Sequence, residues 1–283
     1  MSALTVLEPG PLTLVQDRGR PGLARLGVGA SGAFDRGAAA LANRLVGNPA
    51  EAAVLEVLLG GVALRPWAPL WVAVTGARGP ASVEPNTATL LGPGQTLRLG
   101  PAEHGIRFVV AVRGGVDVDA VLGSRSRDTL AGLGPPPLRA GEVLPIGPEP
   151  AGRIPVIDAV PVGAPGDGEL SVDVRRGPRL DRFAADAWEA LTGTAWTVDA
   201  RSDRTGIRLS GPPVRPTDRT ELPSEGMVPG AIQVSPDGAP TILGPDAPVT
   251  GGYPVIAVVA DRDLDLLAQV RPGQSIRLRS SSR

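Results

Sequence analysis

The chain has 283 residues, 42% of them hydrophobic, with 28 basic against 29 acidic side chains and a formal net charge of −1. That length predicts one large domain or two ordinary ones, and the balanced charge provides no global basic field for nucleic acid or anionic lipid. There is no Cys, no Lys and a single His, His104, which excludes thiol nucleophiles, thiolate metal sites, Schiff-base chemistry, the P-loop lysine and a lysine-linked biotin.

Gly (38 residues) and Pro (31) make up about a quarter of the chain, close to the level that signals low complexity. The hydrophobic residues nevertheless fall in short Val/Leu/Ile runs, punctuated by Gly and Pro at roughly 8–12-residue spacing, which is the pattern of strands joined by turns. Aromatics at 3% are too few for base-stacking platforms. No apolar run reaches the roughly 18 residues that span a bilayer. The start, Met1-Ser2-Ala3-Leu4, lacks the basic and apolar regions of a secretory signal. With the absence of Cys, these features predict a cytoplasmic protein with no membrane or nucleic-acid partner.

In chain order, Leu4–Glu8 and Thr13–Gln16 read as strands about the turn Pro9-Gly10-Pro11. Phe34, Ala38, Leu41, Ala42 and Leu45 recur at helical spacing, with Asp35 as N-cap and Gly47 beyond the last apolar position. Asn48-Pro49-Ala50-Glu51 predicts one further short turn of helix. Val54–Leu58 and Val62–Arg65 flank Gly60-Gly61 as a hairpin, and strands follow at Trp71–Thr75, Thr87–Leu91, Thr96–Leu99 and Arg107–Val112. Gly147–Gly168 has little periodic pattern and reads as the junction between an N-terminal domain over 1–150 and a C-terminal domain over 165–283. Beyond it come a strand at Leu170–Val174, a helix at Asp181–Leu191 stopped by Gly193, and strands at Trp196–Val198, Ile207–Leu209, Ala231–Val234, Val255–Val259 and Ser275–Leu278. Two helices among many short strands make a mainly β protein built of two small barrels or sandwiches.

The two halves echo one another. Pro93-Gly94-Gln95-Thr96-Leu97-Arg98-Leu99 returns as Pro272-Gly273-Gln274-Ser275-Ile276-Arg277-Leu278, Asp17-Arg18 as Asp203-Arg204, and Gly60-Gly61 as Gly251-Gly252. Matches in the same order point to duplication.

Several segments carry candidate chemistry. Gln16-Asp17-Arg18-Gly19-Arg20-Pro21-Gly22 sets two guanidinium groups and a carboxylate beside glycines, which fits a solvated turn or forked recognition of an anion. The echo Ser202-Asp203-Arg204-Thr205-Gly206-Ile207-Arg208 favours the second. Ser31-Gly32-Ala33-Phe34-Asp35-Arg36 opens a helix and fits capping or an anion site. Gly123-Ser124-Arg125-Ser126-Arg127-Asp128 fits a ligand loop or a solvated one. Ser224-Glu225-Gly226 and Pro229-Gly230-Ala231-Ile232-Gln233 place a carboxylate and an amide around a glycine-rich bend, and Thr250-Gly251-Gly252-Tyr253-Pro254 holds the only Tyr. Glu56, inside an apolar strand, is the best candidate for a buried or pocket-facing carboxylate, whereas His104 reads as a surface residue.

Read together, these motifs resemble the second-subunit family of the allophanate-hydrolase/5-oxoprolinase group, also called the biotin-dependent carboxyltransferase domain family or the sporulation-kinase-inhibitor antagonist family. The resemblance adds Gly27-Val28, Ala40-Leu41-Ala42-Asn43-Arg44-Leu45-Val46-Gly47-Asn48, Leu55-Glu56 and Arg113-Gly114-Gly115 to the segments above, and it covers nearly the whole chain in order. Phe34 stands where that family carries Met, and Leu23 where it often carries an aromatic.

The resemblance implies two cyclophilin-like β-barrel domains with a few short helices, with strand exchange between them allowed. It implies the C-type subunit of an ATP-dependent 5-oxoprolinase complex that opens the lactam to glutamate. The partner would be an allophanate hydrolase subunit 1, equivalently a 5-oxoprolinase chain of the B type, in a heterotetramer, joined by a third lactam-utilisation-type subunit. ATP with magnesium would be the co-substrate, with no metal ligand set legible and no covalent biotin on this chain. Under that reading Asp17, Asp203 and Glu56 are the candidate catalytic carboxylates. Arg18, Arg20 and Arg204 bind substrate or phosphate, lined by Ser124, Gln233 and Tyr253. Two other functions are compatible with the same kinship: carboxyl transfer from carboxybiotin to a urea-like acceptor, and non-catalytic antagonism of a kinase inhibitor.

Overall fold

The structure, a computed structural model, describes residues 2–155, 160–217, 220 and 222–281; residues 156–159 of the expected junction lie outside them. Among the described residues the chain is mainly β, with eighteen strands and three short helices. None of these helices is long and apolar enough to cross a membrane. The chain forms two compact units: Met1–Arg20, Ser31–Asp128 and Gly132–Pro165 in the first, and Pro21–Ala30, Thr129–Ala131 and Gly166–Arg283 in the second.

The first unit holds β1 (Ala3–Pro9), β2 (Leu12–Gln16), α1 (Arg36–Leu45), β3 (Val54–Leu58), β4 (Val62–Pro66), β5 (Leu70–Arg78), β6 (Thr89–Leu91), β7 (Leu97–Arg98), β8 (His104–Val112) and β9 (Val143–Pro145). Strands β7-β4-β1-β9 make a four-stranded sheet and β2-β3-β8-β5-β6 a five-stranded one. Leu4, Val6 and Leu64 of the first sheet share one core with Leu55, Val74 and Phe108 of the second. The five-stranded sheet is buried on both faces. Phe108, Val110 and Val112 of β8 enter the shared core, while Val109 and Ala111 pack with Leu41, Ala42 and Leu45 of α1. A strand covered on both sides needs apolar residues at every position, which is why Phe108–Val112 reads as a continuous run. Asp35 caps α1 as the sequence predicts, its carboxylate accepting the Ala38 N–H at 2.8 Å.

The second unit holds β10 (Leu170–Arg176), α2 (Ala187–Gly193), β11 (Ala195–Val198), β12 (Gly206–Ser210), β13 (Glu225–Gly226), β14 (Ala231–Val234), β15 (Pro240–Leu243), β16 (Thr250–Gly251), β17 (Val255–Val259), α3 (Leu264–Leu267) and β18 (Ser275–Ser280). Seven of these strands close into a barrel in the order β10-β17-β14-β15-β12-β11-β18, completed by the parallel pairing of β10 with β18. Barrels of this size are filled by side chains, and Val172, Trp196, Ile207, Ile232, Ile242 and Ile276 are buried accordingly. Strands β13 and β16 form a separate two-stranded ribbon.

Three expected elements differ. Strands β3 and β4 do not form a hairpin: β3 pairs with β2 and β8, and β4 with β1 and β7. Leu59, Gly60 and Gly61 all have positive φ and turn the chain from one sheet to the other. A Cβ on Gly60 would meet the Gly100 carbonyl oxygen at 1.9 Å, so this corner requires glycine. The helix expected over Asp181–Leu191 is split into a 3-10 turn at Leu180–Arg182 and α2, because Phe183 is extended and bridges to Pro216. Asn48–Glu51 forms a turn closed by Ala52 N–H to the Pro49 carbonyl at 3.1 Å rather than a turn of helix.

The two Pro-Gly-Gln turns are alike in detail. Gln95 Oε1 accepts the Gly92 N–H at 2.6 Å, and Gln274 Oε1 accepts the Arg271 N–H at 3.0 Å. Gly60-Gly61 has no such counterpart, since Gly251 and Gly252 do not share its positive φ.

Trp196 is fully buried, and its indole N–H donates to the Leu191 carbonyl at 2.9 Å. Trp196→Ala is expected to cost about 3–5 kcal/mol of stability, measured by urea unfolding followed by far-UV circular dichroism. Leu90→Ala, at an exposed position, is expected to change stability by less than about 0.5 kcal/mol.

Candidate functional site

The predicted residues of the first unit are drawn into structural networks. Asp17, just after β2, accepts four hydrogen bonds. Its Oδ1 takes the Gly19 N–H at 2.7 Å, Ser124 Oγ at 2.6 Å and Ser126 Oγ at 2.5 Å, and its Oδ2 takes the Arg125 N–H at 2.6 Å. A carboxylate offers roughly four lone-pair sites, so the side chain is fully engaged in holding the Ser124–Ser126 loop. Arg20 is buried and donates from Nε to the Val121 carbonyl at 3.3 Å and from Nη2 to the Ser126 carbonyl. Its Nη1 and the Gln16 Oε1 are buried without a hydrogen-bond partner among the described residues. Arg18 is exposed and pairs with Glu51 at 2.9 Å. Such a surface pair contributes little to stability.

Glu56 lies on the α1-facing side of β3, at 4% exposure. Its Oε2 accepts the Phe34 N–H at 2.8 Å, and its Oε1 stands 3.6 Å from Arg107 Nε. The Arg107 guanidinium in turn sits 4.7 Å from the Phe34 ring centroid. The buried carboxylate is therefore matched by a buried cation and a main-chain donor, and it anchors the loop leading into α1.

In the second unit, the Asp203 motif divides between the interior and a cleft. Arg204 is buried and holds Asp246 by two parallel bonds, Nε to Oδ2 at 2.8 Å and Nη2 to Oδ1 at 2.9 Å. Asp246 also accepts the Thr129 N–H at 2.9 Å and Oγ–H at 2.7 Å. The bidentate geometry is the strong form of such a pair. Asp203 is exposed; its Oδ1 accepts the Thr205 and Gly206 N–H groups at 2.8 and 3.2 Å, as Asp17 does with Gly19.

A cleft of about 550 Å³ lies against the outer face of β12, β14 and β15, and Asp203, Gln233 and Tyr253 line it. Alternation on β12 sends Ile207 and Leu209 inward and leaves Gly206, Arg208 and Ser210 to the cleft. Arg208 is opposite Thr241 of β15, and Gln233 of β14 is opposite the same Thr241, so the three side chains form one cross-strand row. Gln233 Nε2 lies 3.2 Å from the Met227 sulfur. Arg201 at the rim is bound by Asp199 on both arms at 2.9 Å. Hydrogen bonds from the Arg201 side chain, and then its backbone N–H, hold Asp199 well below the usual carboxylate range.

The family model for the carboxyltransferase domain, subdomain A and B, matches residues 26–280. The chain belongs to this family. The carboxyltransferase-domain chain is similar to the C-type subunit of the 5-oxoprolinase of Escherichia coli strain K12, 35% identical over 96% of this chain and 89% of that protein. Among solved structures it resembles TTHA0988, at 37% identity and a TM-score of 0.88 over 98% of this chain and 55% of that one. It also resembles the K. lactis urea amidolyase, at 30% identity and a TM-score of 0.90 over 98% of this chain and 18% of that one. The chain thus spans about half of the solved TTHA0988 chain and under a fifth of the urea amidolyase.

Within this carboxyltransferase domain, Asp203, Gln233 and Tyr253 come together at the cleft. Asp17, Ser124 and Arg20 form a separate network in the first unit, as does Glu56. Arg208 was not singled out by sequence reasoning. The signal available was its position between two apolar residues of a strand, which forces it to the opposite face.

Removing the cation of a buried pair leaves an uncompensated charge. Arg204→Ala is therefore expected to cost about 3–5 kcal/mol in guanidinium unfolding.

Proposed function

We propose that this chain is the C-type subunit of an ATP-dependent 5-oxoprolinase, which opens the 5-oxoproline lactam to glutamate together with partner subunits. The observation that carries this reading is the similarity to the E. coli C-type subunit over nearly the full length of both chains. The partner would be a B-type 5-oxoprolinase chain, of the allophanate hydrolase subunit 1 kind, in a heterotetramer, with a third lactam-utilisation-type subunit and a cytoplasmic setting.

Ring opening breaks the lactam C–N bond, forms a C–O bond to water and leaves the nitrogen as an amine. ATP supplies the activation that amide resonance otherwise withholds from the carbonyl. The chain has no lysine for a phosphate cradle, and the described residues contain no group of three His, Asp or Glu side chains placed to hold a metal. No step on this chain is therefore assigned to the nucleotide or its magnesium. On this reading Asp203 holds or moves the proton of a bound N–H group, with Gln233 and Tyr253 as orienting neighbours; the support is that all three line one cleft. Asp17, Glu56, Arg20, Ser124 and Arg204 act as positioning residues through the hydrogen bonds that fix their loops. Arg18, exposed and paired with Glu51, is the arginine of the first motif left to meet an anion on this reading.

A second reading, carboxyl transfer from carboxybiotin to a urea-like acceptor, is favoured by the match to the K. lactis urea amidolyase. Reconstitution with all subunits separates the two. The expected result is ATP hydrolysis dependent on 5-oxoproline, with one glutamate formed per ATP. Carboxylation of urea with no response to 5-oxoproline would establish the second reading instead. In the reconstituted complex, Asp203→Asn is expected to lower kcat by about 10²-fold or more, the scale of a lost acid–base group.

A further inference from the structure

The cleft on the outer barrel face holds polar groups that the fold itself does not use. Among the described residues the Arg208 guanidinium makes no ion pair or hydrogen bond, whereas Arg201 beside it is bound on both arms by Asp199. Asp203 commits only Oδ1 to its own turn, leaving Oδ2 open. Gln233 uses its Nε2 on Met227, leaving Oε1 open. The hydroxyls of Thr241 and Tyr253 likewise have no partner among the described residues. The Arg208 guanidinium, Asp203 Oδ2, Gln233 Oε1 and the hydroxyls of Thr241 and Tyr253 thus belong to residues lining one cavity of about 550 Å³.

Charge narrows the ligand. Asp199 and Arg201 neutralise one another, and Asp237 accepts the Ser235 hydroxyl at the far rim. Among the described residues Arg208 is then the one uncommitted cation lining the cleft, and the carboxylates of Asp203 and Asp237 line it too. A doubly charged phosphate would meet more negative than positive charge there. A ligand with a single carboxylate and a nearby N–H donor would set the first against the cation and the second against an acceptor oxygen. Arginine recognises a planar carboxylate through two parallel N–H bonds, and the open oxygens of Asp203 and Gln233 can accept the N–H.

We propose that this cleft is the binding site for a small amino acid or cyclic-amide acid. The carboxylate is held by Arg208 with the Thr241 hydroxyl, and the N–H group faces Asp203 Oδ2 and Gln233 Oε1. The choice of 5-oxoproline as ligand rests on the lactam-hydrolase reading above; the chemistry of the cleft does not.

The test is calorimetric titration of the full chain with 5-oxoproline, 2-pyrrolidinone and inorganic phosphate, followed by kinetics of the reconstituted complex. The expected result is binding of 5-oxoproline at least tenfold tighter than of 2-pyrrolidinone, which lacks the carboxylate, or of phosphate. Arg208→Gln should weaken 5-oxoproline at least tenfold with an unchanged melting curve, and Arg98→Gln, at an exposed pair with Glu8, should leave it unchanged. Binding within twofold of wild type in Arg208→Gln would overturn the proposal, as would phosphate binding as tightly as 5-oxoproline or no binding to the chain. If the complex opens 5-oxoproline but Arg208→Gln leaves KM unaltered, the cleft assignment fails and the proposed reaction stands. If the chain binds 5-oxoproline through Arg208 while the complex opens no lactam, the site stands and the proposed reaction fails.

Discussion

A residue on a strand of a closed barrel has two destinations, the packed interior and the outer face, and no edge lies between them. That constraint governs the second unit. With Ile207 and Leu209 of β12 buried, Arg208 has to point outward, where Thr241 and Gln233 are set opposite by the pairing register. The turn just before β12 sends Arg204 the other way, to a fully buried Asp246. Two arginines four residues apart in one motif therefore have different roles. One stabilises the fold and the other is available to a ligand.

The first unit uses its buried charge differently. Asp17 and Glu56 both accept main-chain N–H groups of loops that lack regular partners. A buried donor without a partner costs free energy comparable to a lost hydrogen bond, and a carboxylate can satisfy several at once. Glu56 also has Arg107 beside it, which offsets the cost of burying its charge. These carboxylates make the Ser124–Ser126 loop and the entry to α1 definite in shape. Glycine serves the same end at Gly60, where two backbones approach too closely for any side chain.

Much of the fold was legible in the residue pattern because burial imposes it. The cap at Asp35, the helix α1 and most long strands follow from apolar period and turn chemistry. The errors have local causes. Gly60-Gly61 carries the composition of a hairpin turn, yet with Leu59 it forms a run of three positive φ angles that steers the chain into a different sheet. The apolar face of Asp181–Leu191 is real, since Phe183, Trp188 and Leu191 are all buried. The pairing of Phe183 with Pro216 breaks the helix, and sequence periodicity carries no information about that partner. The short strands β13 and β16 of two residues each are too brief for any period to register.

From the sequence alone came the mainly β class, the repeated Asp-Arg and Pro-Gly-Gln turns, the exclusion of Cys and Lys chemistry, and the family motifs. These are properties of local composition and spacing, which the chain carries before it folds. The tertiary structure decided which polar residues are consumed and which remain available. Asp17 and Arg204 look as reactive in sequence as Asp203 and Arg208. Their different fates depend on partners over a hundred residues away for Asp17 and 42 residues away for Arg204. Such partnerships are set by strand register and closure, long-range facts that no local window of sequence contains.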